Sequence, residues 1–163
     1  MAKEFDLFGR NASNLIGALG EIIAWDTLRK MGIWAYKIGS WSFFPEGYPH
    51  FHDKKLAFLT SEQAEFLKNK EANQIVEFDF LGVKCKHGFI MALTEEEIEG
   101  VYLIEVKAGR GPNIRHYMNN PTRAFSRTLS ENFEKAKALD FKVALVVVEL
   151  LENWKYRYTY REM

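Results

Sequence analysis

A chain of 163 residues, 47% apolar and 27% charged, has the length of one domain and the composition of an ordinary globular protein able to bury a core without staples. One cysteine, Cys85, excludes an internal disulfide and a multi-cysteine zinc site, and makes a reducing cytoplasm the expected compartment. No apolar run approaches the roughly 18–20 residues that cross a bilayer, Met1 to Arg10 has no signal-peptide core, and 22 basic against 22 acidic residues leave no net charge to name a partner.

The first predicted element is a helix from about Asn14 to Met31, with Asn11, Ser13 or Asn14 as cap and Gly32 as stop. Ile33 to Ile38 reads as a short strand. Residues 39–55 form an irregular aromatic loop holding Trp41, Phe43, Phe44, Tyr48 and Phe51. Thr60 with Gln63 is a capping box, which predicts a helix from Ser61 to about Lys70. Ile75 to Val83 is a predicted strand with Val76, Phe78 and Phe80 on one face and Glu77 and Asp79 on the other. Gly82 to Glu99 is ambiguous: Phe89 to Leu93 could be strand, and Glu95-Glu96-Glu97 suits a turn or short helix start. Val101 to Ala108 is a strand, and Pro121 to Leu139 a helix with Phe125, Leu129, Phe133 and Ala136 as its apolar stripe. Val143 to Val148, continuously apolar and mostly β-branched, predicts a strand covered on both faces. Trp154 to Tyr160 alternates as an edge strand does. The order predicts a single α/β domain with a mixed sheet flanked by helices.

Chemistry concentrates in the strand Val101 to Ala108. Val101, Leu103, Glu105 and Lys107 share one face, so the only charges of that face stand together at its C-terminal end, before Gly109 and Gly111. Such strand ends are where α/β sheets place active sites. An exposed Glu–Lys pair is the bland alternative, worth about 0–1 kcal/mol. Asp79 lies on a strand able to pair with Val101 to Ala108, which would set it beside Glu105. Two close carboxylates repel unless a cation neutralises them, and oxygen donors of this kind suit Mg²⁺ or Mn²⁺. Lys107 would then orient or help deprotonate a water. Glu21 is surrounded on its helix by Gly17, Ala18, Ala24, Trp25 and Leu28, none able to pair with it, whereas Asp26 has Arg29 and Lys30 within one turn. Glu21 therefore reads either as a solvated side chain or as a carboxylate facing the same site, with Gly17, Ala18 and Gly20 letting the helix approach closely.

Gly20-Glu21 on the first helix, Asp79 in "IVEFDFLGV", and Glu105 and Lys107 in "VYLIEVKAG" together resemble the PD-(D/E)XK nuclease superfamily, with archaeal Holliday junction resolvases and RecB-like nucleases similar in layout. The resemblance spans about Leu15 to Val148. It implies a restriction-endonuclease-like αβββαβ core, a divalent metal held by Asp79, Glu105 and the Val106 carbonyl, Lys107 as the catalytic lysine with Glu21 in support, and hydrolysis of phosphodiesters in DNA, with RNA not excluded. A non-catalytic nucleic-acid-binding or assembly module keeping that fold is the alternative. Phe78 stands where the motif often has proline, and the long Asp79–Glu105 spacing implies the insertion at 84–99.

From Val106 to Leu129 the chain carries Lys107, Arg110, Arg115, Arg123 and Arg127 and no acid. The four arginines are candidate phosphate contacts, or simply one solvated face. The aromatic loop is a candidate for base stacking, a local core or the contact of a homodimer. His50, His52 and Asp53 in "YPHFHD" are a weaker candidate metal cluster than a plain polar loop.

Overall fold

A computed structural model describes residues 13–38, 58–68, 78–86, 97–125 and 127–163, without the side chains of 13, 14, 68 and 127–130. Its elements are α1 (Ser13–Lys30), β1 (Ile33–Lys37), α2 (Ser61–Lys68), β2 (Phe80–Cys85), β3 (Ile98–Gly109), α3 (Pro112–Asn119), a 3₁₀ turn (Pro121–Ala124), α4 (Arg127–Ala138), β4 (Lys142–Leu150) and β5 (Tyr156–Glu162). The five strands make one mixed sheet in sequence order. β1, β2 and β3 are antiparallel neighbours, β4 runs parallel to β3, and β5 closes the edge antiparallel to β4.

Local chemistry explains most boundaries. α1 stops because Gly32 takes φ 79°, the left-handed position that glycine tolerates best. At α2 the capping box forms in both directions: each backbone N–H of Thr60 and Gln63 donates to the other's side-chain oxygen at 3.1 Å. Gln63 Nε2 also donates to the Leu139 carbonyl at 2.9 Å, tying α2 to the end of α4. β4 is buried from Val143 to Leu150, as a strand between two helical layers must be.

The two faces of the sheet carry separate cores. Ala24 and Leu28 of α1 pack on Phe80, Ile104, Val106, Ala144 and Val146. On the other face, Ala64 and Leu67 of α2 and Ala136 of α4 pack with Leu81, Val83, Leu103 and Val143. Further along that face Ile114 of α3 and Ala124 cover Leu145 and Val147.

Several expectations need correction. The 112–119 helix was not anticipated; its signal is Pro112 at the first helical position. The predicted helix Pro121–Leu139 is broken, because Phe125 is extended at φ −93°, ψ 112° between the 3₁₀ turn and α4. β3 starts at Ile98 instead of Val101, and β2 starts only at Phe80. Phe78 and Phe80 do not share a face: Phe78 joins the α2/α4 core and Phe80 the α1 core, because the chain bends at Asp79. Trp154 belongs to the β4–β5 turn, where Asn153 and Trp154 both have positive φ (57° and 60°). The aromatic loop with its His50, His52 and Asp53, the core of the 84–99 insertion, Asn11, Val76 and Glu77 lie outside the described residues. No helix among the described residues is long and apolar enough to cross a membrane.

Candidate active site

β3 delivers Glu105 and Lys107 as its alternation requires. Leu103 faces the α2/α4 core and Ile104 and Val106 face α1, so Glu105 and Lys107 project away from α1. Lys107 Nζ meets Glu105 Oε1 at 2.5 Å, with the Glu105 side chain 5% exposed and that of Lys107 33%. One end of the pair is thus sunk in protein and the other open to solvent.

Asp79 reaches this strand from the end of β2. The ladder pairs Phe80 with Ile104, and the next step is made by a side chain: Asp79 Oδ2 accepts the Val106 N–H at 2.7 Å. The Asp79 N–H donates to the Ile104 carbonyl at 2.9 Å, and its carbonyl accepts from Ile38 N. The carboxylate is therefore fixed on the backbone between Glu105 and Lys107. The bend that misplaced Phe78 in the sequence reading is the same feature that aims Asp79.

α1 contributes Glu21 through an unusually close approach. A Cβ on Gly20 would stand 2.0 Å from Ala108 Cβ, so only glycine lets the helix touch β3 there. A Cβ on Gly17 would meet nothing within 4 Å, so the expected role of that glycine in helix approach does not hold. Glu21 Oε2 pairs with Lys37 Nζ at 2.7 Å, and the same ammonium lies 3.5 Å from Asp79 Oδ1. Lys37, whose side chain is 3% exposed, also sits 5.2 Å from the Phe80 ring centroid. Sequence reading missed Lys37; the available signal was a lysine ending an otherwise apolar strand. Asp26, as read, pairs with Lys30 at 2.5 Å.

The structure thus brings Glu21, Lys37 and Asp79 together on the α1 side, and Glu105 with Lys107 on the other, joined through Val106. Burial raises the Glu21 and Asp79 carboxyls above their ordinary ranges, against the pull of Lys37 on both and of Val106 N–H and Lys107 on Asp79. Burial weakens the Lys107 ammonium, but Glu105, and then Asp79 and Tyr117, outweigh it and hold its pKa above the usual lysine value.

Among the described residues no three or more His, Cys, Asp or Glu side chains are grouped to hold a metal. The oxygen atoms at this strand end are of the kind a hard divalent ion takes. The N–H and C=O of a strand residue project to the same edge, so the Val106 carbonyl faces the side on which its N–H meets Asp79. Asp79 and that carbonyl are oxygen donors on one edge of β3, whereas Glu105 leaves the opposite face of the strand and is held by Lys107, so the expected placing of the two carboxylates side by side is not met.

Beyond Lys107 the chain forms a groove of about 710 Å³ lined by Ala108, Arg110, Pro112, Ile114, His116 and Tyr117. Arg110 is exposed on its rim. Arg123 Nη1 lies 2.9 Å from His116 Nε2. Arg115 Nε donates to Glu149 Oε1 at 2.8 Å. Arg127 begins α4, and its side chain is outside the described residues. Glu149, 1% exposed, also had no place in the sequence reading. No family model, curated protein or solved structure significantly matches the chain.

Proposed function

We propose that this chain is a divalent-metal-dependent nuclease of the PD-(D/E)XK kind that hydrolyses phosphodiesters in DNA. The observation that carries the reading is the seat of Asp79 on the Val106 N–H, between the Glu105 and Lys107 of one strand end. Support comes also from α1, the antiparallel strands β1, β2 and β3, and the parallel crossover through α4 to β4, which suit a restriction-endonuclease-like αβββαβ core with α2 inserted between β1 and β2 and α3 between β3 and α4.

In this reading Asp79, Glu105 and the Val106 carbonyl hold Mg²⁺ or Mn²⁺. The ion, when bound, supplies Lewis-acid polarisation and charge for the phosphoryl oxygens. Lys107, held as a cation, donates hydrogen bonds and stabilises negative charge; deprotonating water is not its task at neutral pH. Lys37 fixes Asp79 and Glu21 in place from behind. Arg110, which lines the groove, and Arg115, Arg123 and Arg127 of the elements that follow it are proposed phosphate contacts.

A second reading has its own observation. Each acid already has a lysine within ion-pair distance, Lys37 serving both Glu21 and Asp79 and Lys107 serving Glu105. That arrangement needs no ion, as in a nucleic-acid-binding module that keeps the fold without cutting. A cleavage panel of duplex, branched and single-stranded DNA and of RNA, with and without Mn²⁺, separates the two. The nuclease reading expects metal-dependent products, lost on the order of 10²-fold or more in Lys107→Ala, which still binds Mn²⁺. Absence of both calorimetric Mn²⁺ binding and cleavage by the parent would leave the non-cutting module.

A further inference from the structure

Two residues past Lys107, the same face of the sheet carries a cationic cluster whose geometry exceeds what folding needs. Register pairs Lys107 with Val147 and Gly109 with Glu149, so Glu149 lies on the Lys107 face, one strand over. It is almost fully buried, and each of its carboxylate oxygens takes a different arginine: Oε1 the Nε of Arg115 from α3, Oε2 the Nε of Arg157 from β5. One cation would neutralise the acid, and the second leaves a surplus positive charge. Both arginine side chains are about half exposed, 52% and 51%. Their hydrogen bonds to Glu149 run through Nε, so the Nη donors are not used on that carboxylate. A guanidinium carries five donors in a rigid fork suited to phosphate.

A recess of about 370 Å³ opens beside Arg115, lined by Arg110, Gly111, Glu149, Leu150, Leu151 and Glu152, so that two arginines face two acids there and Arg157 adds the surplus positive charge from the neighbouring strand. Gly111, at φ 68°, starts α3 with no side-chain cap, so the first N–H groups of that helix also favour an anion at this end. Two residues along β3 and one strand across place Glu149 roughly 8 Å from Lys107 at the backbone. A DNA strand rises about 3.4 Å per nucleotide while turning about its axis, which sets successive phosphates about 6–7 Å apart, so the two positions are spaced for neighbouring phosphates.

We propose that Arg115 and Arg157, held in place by Glu149, form a two-guanidinium receptor for one backbone phosphate of a DNA strand that passes Lys107. This deepens the nuclease reading and rests on it for the identity of the strand. Arg157, on the edge strand and distant in sequence from the basic stretch, is thereby assigned to the binding surface, and Glu149 is the residue that positions it.

The test is fluorescence anisotropy of labelled duplex DNA in EDTA across a salt series. Arg115→Ala and Arg157→Ala should each weaken binding several-fold and lower the magnitude of the log–log salt slope by about one. Arg157→Lys keeps the charge and a partner for Glu149 but loses the planar fork. It should bind about fivefold more weakly at an unchanged slope, and it keeps the question answerable if the alanine variant does not fold. Parent-like affinity in Arg157→Lys, or parent-like affinity and slope in both alanine variants, overturns the receptor, as does a parent that binds no DNA. Cleavage with Mn²⁺ is followed on the same proteins. A parent that cleaves while the arginine variants bind normally refutes the receptor alone; one that binds through the receptor but never cleaves refutes the nuclease reading alone.

Discussion

Replacing Gly20 with alanine builds a Cβ 2.0 Å from Ala108 Cβ, about 1.5–2 Å short of a comfortable carbon–carbon contact. Ala108 is on a central strand of the sheet and cannot yield without moving β3. Overpacking of this kind costs about 1–3 kcal/mol, and the better helix propensity of alanine returns about 0.8–1 kcal/mol. The expected net loss is about 0–2 kcal/mol, and the severity of a 2.0 Å approach puts it toward the upper end, roughly 4–8 °C in Tm for a domain of this size. Gly17 on the same helix provides the control. Its added Cβ meets nothing within 4 Å, so Gly17→Ala should gain about 0.8–1 kcal/mol from propensity alone. Two identical substitutions one turn apart thus have opposite signs. Ala108→Gly removes the colliding atom and leaves Ala108 Cα 3.5 Å from the new Cβ, an ordinary contact. The double variant Gly20→Ala with Ala108→Gly should therefore be more stable than additivity predicts. Thermal and urea melts of the four proteins decide the matter. Equal stability of Gly17→Ala and Gly20→Ala, or strict additivity with Ala108→Gly, refutes the close approach that carries Glu21 to Asp79.

Lys37→Met leaves Glu21 and Asp79 without their shared cation and should cost about 3–5 kcal/mol, the scale of breaking a buried ion pair. With Asp79 freed of its lysine, Mn²⁺ should raise the melting temperature of this variant more than that of the parent; an equal shift argues against metal at Asp79. Glu149 is lowered below its ordinary 4.5, chiefly by Arg157 with Arg115 assisting. Its folded pKa lies under the unfolded one, so its stabilisation is complete above about pH 4.5 and fades as pH falls through the folded value. The melting gap between parent and Glu149→Gln should narrow in acid below pH 4.5, and a constant gap contradicts the assignment. Trp154 is 76% exposed and held at φ 60°, a conformation costing a side chain about 1–2 kcal/mol. Trp154→Gly should raise the melting temperature, and a fall would show that the indole makes contacts outweighing the strain.

Local pattern alone decided a good deal of this protein. The α1 stop at Gly32, the Thr60/Gln63 box, the doubly covered β4 and the Glu105/Lys107 face all follow from one or two turns or a few strand residues, because periodicity and capping act over that distance. Glu21 was also marked locally, by the lack of any partner on its own helix. Its partner was not legible, since Lys37 arrives from β1 only when Gly20 lets α1 press on Ala108. The bend at Asp79 has the same origin: strand alternation predicts one face for Phe78 and Phe80, and the Val106 N–H capturing the carboxylate breaks it. Arg115, Glu149 and Arg157 lie on three elements, and no spacing rule links them until β4 runs parallel to β3 and β5 folds back beside it. The sequence determined which side chains each element presents. Strand register and the contact of one helix on the sheet decided which charges meet, because pairing across elements depends on distances that no single segment contains.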